Sequence, residues 1–170
     1  MNSLVDVEGV LSRLKDFQRH TVDYVFERMY LNDDFATRFL VADEVGLGKT
    51  LVARGVIAKA VDYLQSRTDR IDVIYVCSNS DIARQNIARL QLDPEHSFGL
   101  ASRITLLPIN MADIRKSRLN FISFTPGTSL ELPNSTGVSI ERQLLYWLIP
   151  DTWRTSPNKS ARVLEGFVET

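Results

Sequence analysis

The chain has 170 residues, of which 44% are hydrophobic and 24% are charged, and its formal net charge is −1. This length is enough for about one domain with its own core, and the composition disfavours disordered, collagen-like and disulfide-scaffold proteins. Because the charge is nearly balanced, any contact with nucleic acid has to come from a local patch or from backbone amides.

The single cysteine, Cys77, cannot form an internal disulfide, which favours a reducing compartment. Residues 1–10 contain Asp6 and Glu8 and lack the cationic start and apolar stretch of a signal peptide. The apolar runs are much shorter than the roughly 20 residues that cross a bilayer. We therefore expect a cytoplasmic protein without membrane contact.

Helical spacing precedes the first predicted strand. Apolar residues recur at i, i+3, i+4 and i+7 across residues 7–14 and again across 22–29, which predicts two helices. The apolar run 38–42 then predicts a short buried strand. From residue 52 to residue 64, an apolar residue every fourth position predicts an amphipathic helix, with Arg54 on its polar face.

The rest of the chain continues the alternation of strands and helices. Further apolar runs predict buried strands at 72–77, 103–107 and 120–124. Helical patterns lie at 81–90, 140–148 and 163–168. The stretch 127–137, rich in Ser, Thr, Gly, Pro and Asn, predicts a loop. The pattern is that of an α/β domain.

The segment 43–50 joins the predicted strand 38–42 to the helix that follows. A loop that binds a triphosphate needs converging backbone N–H groups, a helix N-terminus, one ammonium group and one hydroxyl for magnesium. Gly46 and Gly48 permit the tight wrap, and Lys49 and Thr50 supply the ammonium and the hydroxyl. The predicted nucleotide-binding residues of the loop are Asp43, Glu44, Val45, Gly46, Leu47, Gly48, Lys49 and Thr50.

This loop predicts ATP and Mg as cofactors. Lys49 and Thr50 are also the predicted catalytic residues, with Thr50 as the predicted magnesium ligand. Asp43 departs from the simple pattern G-x-x-x-x-G-K-[ST], which has glycine at that position. A solvated glycine-lysine turn is the alternative interpretation.

The run Ala-Asp-Glu-Val-Gly-Leu-Gly-Lys-Thr at 42–50 resembles motif I of superfamily-two helicases, specifically the Swi/Snf-like translocase branch, where Asp replaces the first glycine. Leu14-x-x-Phe17-Gln18 is similar to the element that these ATPases place over adenine. The resemblance implies that Gln18 contacts the base edge, because its amide offers both a donor and an acceptor. A solvated helix residue is the alternative for Gln18.

Two strand-end segments are similar to nucleic-acid-contacting motifs of the same superfamily. Ser78-Asn79-Ser80 lies where motif Ia contacts a strand, and residues 125–128 are similar to motif Ib of the DEAD-box branch. The resemblance implies a nucleic-acid partner, DNA in preference to RNA, contacted by Ser78, Asn79, Ser80, Arg84, Thr125 and Gly127. Capping of a helix by Ser80 and a plain turn after residue 125 are the alternatives.

The resemblance covers residues 14–128 and implies an α/β, RecA-like P-loop NTPase fold. This is a three-layer sandwich with a mostly parallel sheet, incomplete in this chain and preceded by two N-terminal helices. The expected divisions are the helices with the adenine-contacting glutamine at 1–36 and a partial RecA-like ATP-binding domain at 37–128. Residues 129–170 begin an insertion or complete the domain.

Hydrolysis needs an Asp for magnesium and a Glu that orients water, at the end of a buried strand. Residues 93–96 (Asp-Pro-Glu-His) have a proline between the acids, and Asp151 follows a run that fits a helix equally well. We therefore expect this chain to be the ATP-binding N-terminal part of a helicase-like, nucleic-acid-dependent ATPase. Its second RecA-like domain is expected in a missing C-terminal part. We expect this chain alone to hydrolyse little ATP. A non-translocating nucleotide switch and an inactive remnant are the alternatives.

Overall fold

The computed structural model describes residues 3–42, 44, 46–92, 97–125 and 139–148, and it shows helices around a small parallel sheet. The helices are α1 Val7–Leu11, α2 Asp16–Phe26, α3 Lys49–Leu64, α4 Ser80–Leu90, α5 Met111–Lys116 and α6 Ser139–Leu148. A π-helical turn, Glu27–Leu31, extends α2, and a 3-10 segment, Ile104–Asn110, precedes α5. The strands are β1 Ile71–Val76, β2 Phe98–Arg103 and β3 Leu119–Thr125.

All strand pairs are parallel, and their order in the sheet is β1-β3-β2. The carboxyl ends of the three strands therefore lie along one edge. The link 65–70 reverses the chain between α3 and β1, and these two elements pack together. The amino end of α3, which the loop 43–50 precedes, consequently lies at the same edge of the sheet, where α/β proteins bind ligands.

The main core lies between the sheet and the helices α3 and α4. Leu119 and Phe121 of β3 are completely buried. Val61 of α3 and Leu90 of α4 belong to the same cluster. Burial of each large apolar side chain contributes about 1.5–3 kcal/mol, so the central strand and the helix after the loop are held as one body.

A smaller cluster of Leu14, Val22 and Val52 joins the N-terminal helices to α3. Gly55 permits the close approach, because a Cβ atom there would lie only 2.7 Å from Val22 Cγ2 and 3.1 Å from Leu14 Cδ1. Three aromatic rings extend the contact, with centroids 5.2–5.9 Å apart: Phe26, Tyr30 and Tyr63. The predicted pair of N-terminal helices is therefore present and packs on the helix that the loop precedes.

The prediction of a strand at 38–42 is wrong. These residues are irregular, and the side chain of Leu40 is 83% exposed. A strand needs a hydrogen-bonded neighbour, and the sheet formed by the described residues contains only β1, β2 and β3. An apolar composition does not by itself supply that neighbour.

The strand predicted at 103–107 lies earlier in the chain, because β2 ends at Arg103 and the following residues form the 3-10 segment with Pro108 inside it. Proline has no N–H to donate to a strand ladder. The other predicted strands, 72–77 and 120–124, correspond to β1 and β3, and the helices 81–90 and 140–148 correspond to α4 and α6. The predicted helix 163–168 lies outside the described residues. No described helix is long and apolar enough to cross a membrane.

Candidate phosphate-binding site

The backbone ahead of α3 depends on its glycines. Gly46 has φ of 92° and Gly48 has φ of 83°, a region that residues with a Cβ atom rarely adopt. The carbonyl of Gly48 accepts from the amides of Leu51 at 2.8 Å and Val52 at 3.1 Å, which begins the helix. Gly48 has no side chain, so it gives α3 no side-chain cap.

Lys49 opens α3, and its side chain folds back over the loop. Its Nζ atom donates to the carbonyl oxygen of Glu44 at 3.0 Å. The amide of Leu47 also donates to that oxygen, at 3.4 Å. The side chain of Lys49 is therefore held against the backbone of the loop. Asp43 and Val45 lie outside the described residues.

Gln18 connects the start of α2 to the loop. Its side chain is buried, with 4% exposure. Nε2 donates to the carbonyl oxygen of Leu47 at 2.9 Å, and Oε1 accepts from the amide of Lys15 at 3.0 Å. The interpretation of Gln18 as a solvated helix residue is therefore wrong. Its amide retains one N–H and further acceptor capacity beyond these two bonds, and its contact with adenine stays a prediction.

Thr50, the predicted magnesium ligand, is half-buried in the first turn of α3. Among the described residues there is no group of three or more His, Cys, Asp or Glu that could hold a metal ion. Magnesium commonly keeps several waters and takes only one or two protein ligands besides substrate phosphates. Magnesium binding by the Thr50 hydroxyl therefore stays a prediction.

Two side chains predicted to contact nucleic acid, Asn79 and Arg84, are bonded within the protein. Asn79 caps α4, because its Oδ1 atom accepts from the amides of Asp81 at 2.8 Å and Ile82 at 3.1 Å. The residue at the N-cap is therefore Asn79, and Ser80 is the first residue of α4. Arg84 pairs with Asp81 at 3.0 Å. These contacts stabilise the start of α4 without a ligand.

The remaining predicted contacts lie at strand ends. Ser78 is exposed just after β1, and Thr125 is the last residue of β3. Both strands end at the edge where the loop precedes α3, so the topology brings Ser78, Thr125 and the loop to one side of the sheet. Gly127 lies outside the described residues.

Comparison with protein-family models, with curated proteins and with solved structures gives no match. The functional proposal consequently depends on the residues and geometry of this chain, above all on the loop and Gln18.

The partial burial of Arg54 in α3 was not predicted from the sequence. The helical pattern placed it on the solvent face of α3, yet its Nε atom is buried and has no hydrogen-bond partner. Burial, together with the positive charge of Arg13, lowers the pKa of Arg54. The available signal was its position next to Gly55, since a glycine inside a helix can indicate close packing.

Proposed function

We propose that the chain is the ATP-binding part of a helicase-like, nucleic-acid-dependent ATPase or translocase with a RecA-like fold. The observation that carries the proposal is the hydrogen bond between Gln18 and Leu47. A glutamine that reads adenine and a loop that holds phosphates must belong to one site, and these two residues are in contact although 29 positions separate them in sequence.

In this proposal the first amides of α3 bind the phosphates, since a helix N-terminus carries partial positive charge. Lys49 exchanges its bond with the Glu44 carbonyl for the β and γ phosphates, and Thr50 contributes a hydroxyl to magnesium. The bound magnesium neutralises charge that develops on the phosphates. Gln18 uses its remaining donor and acceptor capacity for the adenine edge.

Part of the connectivity supports the RecA-like fold, although the strand that the motif requires before the loop is absent, because residues 38–42 are irregular. Loop, α3 and β1 follow one another in the chain, and the loop lies at the carboxyl edge of a parallel sheet, the edge at which open α/β sheets bind ligands. The nucleic-acid partner, DNA in preference to RNA, rests on the resemblance of the strand-end segments. We further propose that turnover needs an Asp-Glu pair and an opposing RecA-like domain in addition to the residues of this loop.

Lys49→Ala is expected to remove ATP binding, because it deletes the ammonium group that faces the phosphates. With Mg-ATP at 100 times its dissociation constant, the unaltered chain should gain about 2.7 kcal/mol in the free energy of unfolding, and the variant should gain almost none. Urea denaturation with and without Mg-ATP measures both gains. The matched control is Lys59→Ala, on the same helix, which loses the pair with Asp23 and the contact with the Phe26 ring but no group of the loop, and it should keep the gain.

An equal gain in Lys49→Ala, or no gain in the unaltered chain, would contradict the proposed ATP site. Hydrolysis stimulated by DNA or RNA, in a form of the protein that hydrolyses ATP, would support the translocase. A change of oligomeric state on ATP binding, together with a rate of ATP hydrolysis that nucleic acid does not change, would favour the nucleotide switch instead.

A further inference from the structure

One peptide group of the loop ahead of α3 is bonded to a buried side chain. Leu47 and Lys49 are exposed in this loop, and Gly48 between them is half-buried. The carbonyl oxygen of Leu47 accepts from Nε2 of Gln18 at 2.9 Å. Gln18 is buried, and its Oε1 atom accepts from the amide of Lys15 at 3.0 Å. The amide group of Gln18 is therefore held at both ends, and it holds the Leu47 carbonyl in turn.

The contact with Gln18 also fixes the direction of the next amide. The peptide bond between Leu47 and Gly48 is trans, so its carbonyl and its N–H point to opposite sides of the chain. Because the carbonyl points toward Gln18, the N–H of Gly48 points away from it. This N–H donates to no group within the described part of the chain.

The glycine at position 48 makes the direction of this peptide depend on a partner. A peptide that is followed by glycine can turn over at little steric cost, because glycine adopts positive and negative φ about equally well. Turning over exchanges the places of the carbonyl and the N–H, so the side that presented a donor would present an acceptor, which repels an anion. A Cβ atom on Gly48 would lie only 2.6 Å from Nε2 of Gln18, so the glycine also lets Gln18 approach the carbonyl.

We propose that Gln18 is a positioning residue for the phosphates, which holds the Leu47 carbonyl so that the N–H of Gly48 donates to a phosphate oxygen. This inference rests on the proposed function, and it gives Gln18 a role in the phosphate half of the site in addition to the adenine half. A hydrogen bond from a backbone N–H to an anion is strong but depends on the direction of the donor. Gln18 acts through the peptide and contacts no phosphate itself.

The test measures the dissociation constants of Mg-ATP and of Mg-tripolyphosphate, which has the phosphates without the adenosine. Gln18→Met keeps an unbranched side chain of similar length and removes both hydrogen bonds of the amide. It is expected to weaken tripolyphosphate binding about tenfold, the effect of losing one hydrogen bond to a charged group, and to weaken ATP binding at least as much. Lys49→Ala should weaken the binding of both ligands, which shows that they bind at the loop.

Val61→Ala is the matched control for lost stability. Val61 is buried in the main core and lies on the same helix as Lys49, about three turns from the loop. Both Gln18→Met and Val61→Ala should lower the urea midpoint, but only Gln18→Met should weaken tripolyphosphate binding. An equal loss of affinity in Val61→Ala would assign the effect to general destabilisation and overturn the inference.

The amide signal of Gly48 gives a second measurement, which needs no variant. In the NMR spectrum of the isotope-labelled, unaltered chain, Mg-tripolyphosphate should shift the Gly48 amide proton downfield, because a phosphate oxygen accepts from it. The shift should be smaller in Gln18→Met. A Gly48 signal that does not move when the unaltered chain is saturated with tripolyphosphate would overturn the inference.

Unchanged tripolyphosphate affinity in Gln18→Met, together with weaker ATP binding, would confine Gln18 to the base; it would overturn this inference and leave the proposed ATP site intact. Unchanged affinity for both ligands would also overturn it, and so would an unaltered chain that binds ATP but not tripolyphosphate. No binding of ATP by the unaltered chain would overturn the inference and the proposed function together.

Discussion

Gln18 satisfies two backbone groups that belong to different parts of the site. Its Nε2 atom donates to the carbonyl of Leu47, and its Oε1 atom accepts from the amide of Lys15. The amide side chain offers both a donor and an acceptor, whereas an ionised carboxylate at neutral pH can only accept. The first turn of α2 and the loop are thus held together by one side chain.

Gln18→Glu is expected to lower the free energy of unfolding by about 1–3 kcal/mol at neutral pH, because the Leu47 carbonyl loses its donor and faces a carboxylate. The deficit relative to the unaltered chain should shrink as the pH falls, because a protonated carboxyl group can donate again. Urea denaturation at several pH values measures this difference.

The control for this change is His20→Gln, on an exposed position of the same helix, which should alter stability by no more than about 0.5 kcal/mol. If Gln18→Glu were as harmless as His20→Gln at every pH, the Gln18 contact with the loop would not contribute to stability.

At the scale of single residues, the positive φ angles of Gly46 and Gly48 could be predicted, because the motif requires a tightly turned loop. The position of Arg54 could not. Helical periodicity tells which residues share a face, but whether the face meets solvent depends on where the turn between α1 and α2 comes to lie. That turn is remote from Arg54 in sequence.

At the scale of elements, the contact between α2 and α3 depends on one missing side chain. Gly55 lies against Val22, which is completely buried. The small residue lets the two helices approach closely, and this approach also places the start of α2 beside the loop.

Gly55→Ala is expected to destabilise the fold by about 1–3 kcal/mol through overpacking, although alanine is favoured over glycine in a helix by about 1 kcal/mol. Adding Val22→Ala removes the side chain that the new methyl group meets. A double-mutant cycle measured by urea denaturation should show a favourable coupling of about 0.5–3 kcal/mol between the two changes. Simple additivity would show that the helices can shift apart without cost.

The strands show why element prediction succeeded in one place and failed in another. β3 has a hydrogen-bonded neighbour on each side and is covered by α4, and its apolar pattern predicted it correctly. Residues 38–42 are similarly apolar, yet they are irregular. A helix forms its hydrogen bonds within one segment, whereas a strand needs a second segment that the local sequence does not specify.

At the scale of the whole molecule, β1 pairs only with β3 within the described sheet. Its side chains Ile74 and Val76 are 57% and 63% exposed. An apolar strand at a sheet edge is able to pair with other chains, so this face of the molecule is expected to promote self-association at high concentration.

Ile74→Lys is expected to reduce self-association, because a charged side chain on an edge strand opposes pairing with another chain. Sedimentation over a range of protein concentrations measures the association. The urea midpoint should stay nearly unchanged, because the side chain is already exposed. By contrast, Phe121→Ala in the buried strand β3 should cost about 3–5 kcal/mol. Unchanged association in Ile74→Lys would show that this edge is not where chains meet.

The sequence by itself predicted the unusual backbone of Gly46 and Gly48, the paired N-terminal helices and the alternation of helices and strands that follows. These features depend on residues that are neighbours in the chain, through helical spacing and backbone conformation. Only the tertiary structure decided that Gln18 is buried against the loop, that the Nε atom of Arg54 is buried, and that residues 38–42 form no strand. Burial and strand pairing depend on segments far apart in sequence, so they exist only once the chain has packed.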